Sequence, residues 1–515
     1  MLLGNSAGAA GSVLRIGNGN EPETLDPQRV SGVSTANILR DLYEGLTGVS
    51  PRGEVIPAAA ERWAVSDDGL EYTFTLREGL RWSNGDAVTA EDFVAGLRRT
   101  VDPSTGSGYA SMLGVIADAE AITSRRLPPE RLGVEVLDAR TLRIRLVAPT
   151  PYLPGLLTHA AAYPIHRASL KKYGRDFARV GRLVSNGAYR LAEWTVQSRV
   201  VLERNPDYWN DVQTRIDTVI YYPTEDLNSE LKRYRADELD ISSAIPTSQA
   251  PWIRVNLGPE LHLAPYLGSY YYGFNLTRPP FKDQTALRRA LSMAVDREII
   301  VEKVLHGVAL PAYGWVPPGV ANYTPQAPLW AGWTREQRHA EAQRLYAEAG
   351  YSEARPLDVE IRYNTQDDNK RIAVVIAAMW KQTLGVRVTL INEEWKVFLQ
   401  NRRLKKVTQA FRSSWIGDYD EALAFAEILR STHGRNDSGY VSERYDALLA
   451  QAALEPEPGR RRALLEEAER VALGDAPILP IYYYLSKHLV KPNVKGWQDN
   501  ILDYHYSKDL RLEAP

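Results

Sequence analysis

The alternation of apolar and polar positions marks the first elements along the chain. In Tyr72-Thr73-Phe74-Thr75-Leu76 and in Leu142-Arg143-Ile144-Arg145-Leu146 every second residue is apolar. That period predicts strands with one face toward a core. Trp82 is followed by the turn pair Asn84-Gly85, and Thr89 with Asp92 three residues later predicts a capped helix running through Phe93, Val94 and Leu97. After about residue 285 the pattern changes. Leu357, Val359 and Ile361 alternate, Ile372, Val375, Ile376 and Met379 recur at helical spacing, and beyond Gly385 the residues Val386, Val388 and Leu390 alternate again. A strand, helix, strand order needs a crossover and so predicts parallel pairing. Further helices are expected over 335–349, closed by Gly350, and over 442–454 and 460–473, while Val316-Pro317-Pro318-Gly319 reads as a loop. No internal repeat is visible. The expectation is an α/β protein with a β-rich insertion in its first third.

Composition narrows the function classes. At roughly 150 residues per domain, 515 residues suggest about three folding units. Hydrophobic residues at 44% and charged residues at 24% suit a folded globular chain. The net charge of −2 gives no concentrated positive field, so a nucleic-acid partner is not expected. No run of about 18 apolar residues exists to form a membrane span. The absence of Cys excludes disulfides, thiolate metal sites, Cys nucleophiles and a lipid-carrying Cys within this sequence. Residues 1–12 are small and lack both a basic and an apolar signal region, so they are expected to be a flexible tail left after signal removal. The 28 Tyr and 12 Trp against 8 Phe fit surfaces that are apolar and hydrogen-bonding together, as in clefts, and equally fit Tyr-rich strands.

A search for catalytic chemistry finds little. Gly4-Asn5-Ser6-Ala7-Gly8 has the spacing of a nucleophile elbow, but no strand precedes it. Gly17-Asn18-Gly19 begins a dinucleotide-like pattern in which Pro22 occupies the place of the third Gly. The eight His residues include no pair at i, i+4, and the nearest two, His159 and His166, are separated by Pro164, so packing or surface roles and no metal are expected. Asp67-Asp68 and Glu393-Glu394 read as solvated charge. Neither an enzyme nor a cofactor is expected. Two clusters stand out: the triple-Tyr runs 270–272 and 482–484, where alternation sends Tyr482 and Tyr484 to one face and Tyr483 to the other, and Arg412-Ser413-Ser414-Trp415-Ile416-Gly417-Asp418-Tyr419, which combines an aromatic anchor, Gly flexibility and both charge signs.

At this second cluster the sequence resembles the oligopeptide-binding proteins of ATP-driven importers, in the solute-binding family that also contains dipeptide, murein-peptide and nickel binders. The similarity runs from about Leu14 to Leu512. It includes Glu21-Pro22-Glu23-Thr24-Leu25-Asp26-Pro27, Ser66 through Trp82, Asn186-Gly187-Ala188-Tyr189, Asn205-Pro206-Asp207-Tyr208-Trp209, Ala294-Val295-Asp296-Arg297 and Pro480-Ile481-Tyr482-Tyr483-Tyr484. The resemblance implies a bilobal periplasmic-binding-protein-like fold (type II, cluster C) with an extra N-terminal insertion domain. Lobe I would comprise 13–44, 169–268 and 488–515, the insertion 45–168 would pack on it, and lobe II would span 269–487.

The same resemblance implies a receptor at the periplasmic or extracellular face of the inner membrane. It would act as a monomer, close over a peptide and deliver it to permease subunits served by cytosolic ATPases. Asp418 would pair with the ligand's α-ammonium, and Val33, within Ser31-Gly32-Val33, and Ile416, beside Gly417, would offer backbone groups to a peptide bound as an added strand. Trp395, Trp415, Tyr109, Tyr266, Tyr271 and Tyr484 match cleft-lining positions. Arg402 and Arg412 match basic positions that meet C-terminal carboxylates, with Arg403 as the alternative to Arg402. Ser31 and Gly273 stand where relatives carry acids, and Asn369 where a His is expected. Those departures motivate an alternative, a receptor specialised for murein peptide or another defined small ligand, and a hydrolase is the remote third reading.

Overall fold

The computed structural model describes residues 11–30, 32–417 and 419–513. The elbow-like segment 4–8, Ser31 and Asp418 therefore lie outside the described residues. The chain divides into two compact units, Met1–His262 with Lys487–Pro515, and Leu263–Ser486.

The first unit holds two four-stranded sheets. In one, Val13–Gly17 runs parallel to Thr218–Tyr222, followed by Arg199–Arg204 and Tyr189–Thr195 in antiparallel order. In the other, Ala60–Val65, Glu71–Leu76, Thr141–Arg145 and Val134–Asp138 pair antiparallel. Tyr72 and Phe74 face Ile144 and Leu142, as the alternation requires, and all four are buried. Helix Ala90–Val101 begins where Asp92 Oδ2 accepts the Thr89 backbone N–H at 2.9 Å and buries Phe93, Val94, Leu97 and Val101. Leu14, Phe74, Phe93 and Val219 belong to one buried cluster, so both sheets share a core.

The second unit is built on a six-stranded mixed sheet in the order Ala309–Pro311, Ile478–Leu489, Leu261–Phe274, Ala410–Ile416, Asp358–Asn364, Arg387–Glu393. Asp358–Asn364 and Arg387–Glu393 pair in parallel across helix Asp367–Leu384, which ends at Gly385 with φ 72°. Only a residue without Cβ takes that conformation freely. Ile372, Ile376, Met379 and Trp380 bury the inner face of this helix. Arg297 is fully buried and donates to the carbonyls of Ala312, Pro480, Ser292 and Val295 and to Ser292 Oγ. Burial without a carboxylate contact lowers its pKa to about 10.

The chain passes between the units inside two strands, Leu261–Phe274 and Ile478–Leu489. Residues within a strand carry no linker composition, which explains why no Pro/Gly stretch or charge shift marks the boundary. No helix among the described residues is long and apolar enough to cross a membrane.

Candidate functional site

Arg412 to Ile416 of the cluster lie on strand Ala410–Ile416, in the interior of the second unit's sheet, and Gly417 follows its end. On one side it pairs antiparallel with Leu261–Phe274, with Tyr272 opposite Arg412, Tyr271 opposite Ser413, Tyr270 opposite Ser414, Ser269 opposite Trp415 and Gly268 opposite Ile416. On the other side its parallel ladder with Asp358–Asn364 ends at Arg362 opposite Phe411. Residues 413–416 thus have no strand partner on that side among the described residues.

Backbone hydrogen bonding sets which groups face this open edge. Gly417 donates its N–H to Leu267 O at 2.8 Å, one residue beyond the Ile416–Gly268 pair. That pattern makes Ile416 and Gly268 a non-hydrogen-bonded pair, so the N–H and C=O of Ile416 point away from Leu261–Phe274. Glycine on both strands leaves room for the neighbouring side chains. A Cβ at Gly268 would stand 2.4 Å from Ile416 Cδ1, and one at Gly417 would stand 2.7 Å from Leu267 Cδ2.

Facing residues in an antiparallel pair share a side of the sheet, so the register divides the nominated side chains into two groups. Arg412 lies on the side of Tyr270 and Tyr272. Its guanidinium sits 4.7 Å from the Tyr270 ring centroid, and it donates to Tyr484 Oη and to Asn364 Oδ1, each at 3.4 Å. Tyr270 stacks on Tyr482 at 4.5 Å and donates its hydroxyl to Asn369 Oδ1 at 3.0 Å, while Asn369 Nδ2 reaches Asn364 Oδ1 at 3.1 Å. Asn369 is buried with both ends of its amide engaged. Burial raises the Tyr270 hydroxyl to about 12, which keeps it a donor at neutral pH.

The opposite side carries Tyr271, Ser413 and Trp415. Tyr271 meets Trp315 edge-on at 4.8 Å, Arg402 donates to Ser413 Oγ at 3.0 Å, and the Trp415 indole N–H donates to Ala424 O at 2.8 Å. Arg402 Nε lies 2.7 Å from Asp437 Oδ2, and both side chains are largely buried. Arg403 is exposed, so Arg402 is the arginine that meets the sheet. Arg412, by contrast, forms no ion pair among the described residues. Trp395 opens helix Trp395–Leu404 and is about half exposed at 48%. Tyr266 lies on Leu261–Phe274 and is half-buried. Tyr483 accepts from Gly314 N–H at 3.1 Å, away from the Tyr482 and Tyr484 pair, as the alternation requires.

Three of the nominated residues that the structure describes belong to the first unit. Gly32, with φ 76°, precedes helix Val33–Leu42 and supplies no side-chain cap, and Val33 is 52% exposed. The first N–H groups of a helix have no partner within it, and no side chain caps this one among the described residues. Tyr109 packs on His159 at 4.3 Å between ring centroids.

Sequence reasoning missed two features. Asp437 partners Arg402 from 35 residues away, and no spacing rule predicts that contact. Two of the His residues that are scattered in sequence, His488 and His505, meet across Asp503. Seventeen residues separate the two, and the C-terminal loop brings them together.

Comparisons with known proteins identify the family of the chain. Residues 54–437 match the family described as bacterial extracellular solute-binding proteins, family 5 middle. The periplasmic oligopeptide-binding protein OppA of Escherichia coli is 39% identical over 96% of this chain and 91% of its own length. The probable deoxycholate-binding periplasmic protein YgiS of the same organism is 38% identical over 99% of this chain and 95% of its own. The solved structure of the Escherichia coli murein tripeptide binding protein MppA superposes with a TM-score of 0.86 at 36% identity, covering 98% of this chain and 99% of that one. The fold is therefore the bilobal α/β architecture of these periplasmic binding proteins, and the chain belongs to family 5 of the bacterial extracellular solute-binding proteins.

Proposed function

We propose that this chain is an extracytoplasmic receptor that captures oligopeptides without bond chemistry and delivers them to the permease of an ATP-driven importer. The observation that carries the reading is the open edge at residues 413–416. A peptide added there gains main-chain hydrogen bonds from Ile416, and these are indifferent to side-chain identity. Successive ligand side chains would then alternate between the Arg412, Tyr484 side and the Arg402, Tyr271, Trp415 side. The division of the nominated residues into two groups is what a strand-like ligand requires.

Charges at the ligand termini would fix its register. Arg412, buried without a carboxylate partner among the described residues, is the better receiver for a C-terminal carboxylate, because Arg402 is already neutralised by Asp437. Asp418 would pair with the α-ammonium, Gly32 and Val33 would add backbone donors, and Tyr109, Tyr266 and Trp395 would line the cleft, with Ser31 and Asn369 replacing charged groups at its margin. The lobes are assigned as 13–44, 169–268 and 488–515 for lobe I, 45–168 for the insertion, and 269–487 for lobe II, with the receptor acting as a periplasmic monomer.

A second reading follows from the relatives themselves. OppA, YgiS and MppA are named for oligopeptide, deoxycholate and murein tripeptide, yet they lie within a few per cent identity of one another relative to this chain. Mass spectrometry of ligand released from the purified protein separates the readings. A ladder of mixed peptides supports the broad receptor, whereas one defined species supports the specialist and overturns broad specificity.

A further inference from the structure

Three potential metal ligands converge within the first unit, from two chain segments. His488 sits near the end of strand Ile478–Leu489, and Asp503 and His505 lie on the loop that follows Gly496. Asp503 Oδ1 is 2.9 Å from His488 Nε2 and 3.1 Å from His505 Nε2. One candidate ligand atom from each residue falls within 4.8 Å of the others, the only such trio containing His, Asp or Glu among the described residues.

We propose that His488, Asp503 and His505 form a binding site for a divalent first-row transition-metal ion, with Zn2+ as the best-fitting probe. Two imidazoles and a carboxylate are the donor set that zinc takes in three-ligand sites, leaving one position for water. Zn–N and Zn–O bonds of about 2.0–2.2 Å place tetrahedral ligand atoms about 3.3–3.5 Å apart, so each imidazole needs to spread from Asp503 by only a few tenths of an ångström, with the ligand atoms of all three residues already within 4.8 Å of one another.

A second observation points the same way. His488 donates its other ring nitrogen, Nδ1, to Ser242 O at 2.9 Å. A backbone carbonyl on the far nitrogen fixes the tautomer that exposes Nε2, the arrangement typical of a metal-ligating His. His505 is held in place by stacking on Trp497, with centroids 3.6 Å apart and planes 14° apart. The loop is tied down by Asn500, whose amide accepts from Tyr504 N–H at 3.2 Å and donates to Tyr504 O at 3.0 Å. Asp503 itself adopts φ 57°, a left-handed conformation that Asp tolerates better than most residues. The three side chains retain 11%, 16% and 14% exposure.

Metal capture removes the Nε2 protons that now bridge to Asp503. His488 keeps its Nδ1–H on Ser242 O, and the displaced protons pass to buffer or, in His505, to the other ring nitrogen. Arg40 stacks on Tyr504 at 3.6 Å and opposes the added charge, whereas Asp499, 3.3 Å from His262, offsets it.

The test is calorimetric titration of chelator-stripped full-length protein with ZnCl2 in two buffers of different ionisation heat, alongside the absorption spectrum of the Co2+ form. The expected result is one site per chain, an enthalpy that depends on the buffer, Co2+ bands of a four-coordinate N/O site, and at least tenfold weaker binding in His505→Gln and Asp503→Asn. Failure of Zn2+ and Co2+ to bind wild type at one per chain, or equal affinity in His505→Gln, overturns the proposal. The wild-type Co2+ spectrum decides the matter even where a variant misfolds.

Discussion

Gly417 donates its backbone N–H to Leu267 O at 2.8 Å, immediately beyond the facing pair of Ile416 and Gly268. This single bond fixes the phase of the ladder and turns the N–H and C=O of Ile416 toward the open edge. Proline is tolerated where a strand N–H faces outward. Ile416→Pro is therefore expected to fold with a melting temperature near wild type and to lose about tenfold in peptide affinity, whereas Ile416→Val keeps it. Circular dichroism melts and calorimetry on both variants check this, and unchanged affinity in Ile416→Pro contradicts the added-strand mode.

The two buried arginines are expected to respond oppositely to substitution. Arg402→Met strands the buried Asp437 carboxylate and should cost about 3 kcal/mol of stability, seen as a lower denaturation midpoint. Arg412→Met removes a buried cation that has no carboxylate partner among the described residues, so stability should hold or rise. Its cost should appear in binding. The preference for peptides ending in a free carboxylate over the amidated forms should disappear in Arg412→Met and persist in Arg402→Met.

Glu469 gives a pH signature. It is buried, its Oε1 accepts the backbone N–H groups of Trp315 at 2.5 Å and Val316 at 3.0 Å, and Tyr323 donates to its other oxygen. Burial pushes its carboxyl up to about 7 against these stabilising bonds. Between the unfolded value near 4.5 and about 7 the folded chain holds more protons than the unfolded one, so its contribution to stability falls as pH rises. Glu469→Gln should remove that slope. The stability difference between variant and wild type should shift by roughly 2 to 3 kcal/mol in favour of the variant from pH 5 to pH 8. Urea denaturation at the two pH values measures it, and parallel profiles count against it.

Arg297 has four carbonyls and a hydroxyl gathered around one guanidinium. Arg297→Met leaves those acceptors buried without donors and is expected to cost about 3 kcal/mol or more. A urea denaturation midpoint within error of wild type would contradict this role.

Legibility from sequence tracks the range of the interaction. The Thr89 and Asp92 cap, the strand, helix, strand run through Gly385, and the alternation of Tyr482 to Tyr484 depend on neighbours within a few residues, so periodicity exposes them. The pairing of Tyr271 with Ser413 does not, because register depends on a partner about 140 residues away. Without it, Arg402, Arg412, Tyr271 and Tyr484 read as one lining, and the structure divides them between two sides of a sheet. The same limit hid Asp437 beside Arg402 and the meeting of His488 with His505. Unit boundaries stayed invisible because they fall inside strands that obey the same alternation on both sides.

The most direct test of the peptide-receptor account is calorimetric titration of ligand-free protein with a tetrapeptide in three forms: free at both termini, N-acetylated, and C-amidated. Saturable one-to-one binding of the free form, with at least tenfold loss on blocking either terminus, is the predicted result. Absence of binding by the free peptide, or equal affinity for all three forms, would contradict recognition through the backbone and terminal charges.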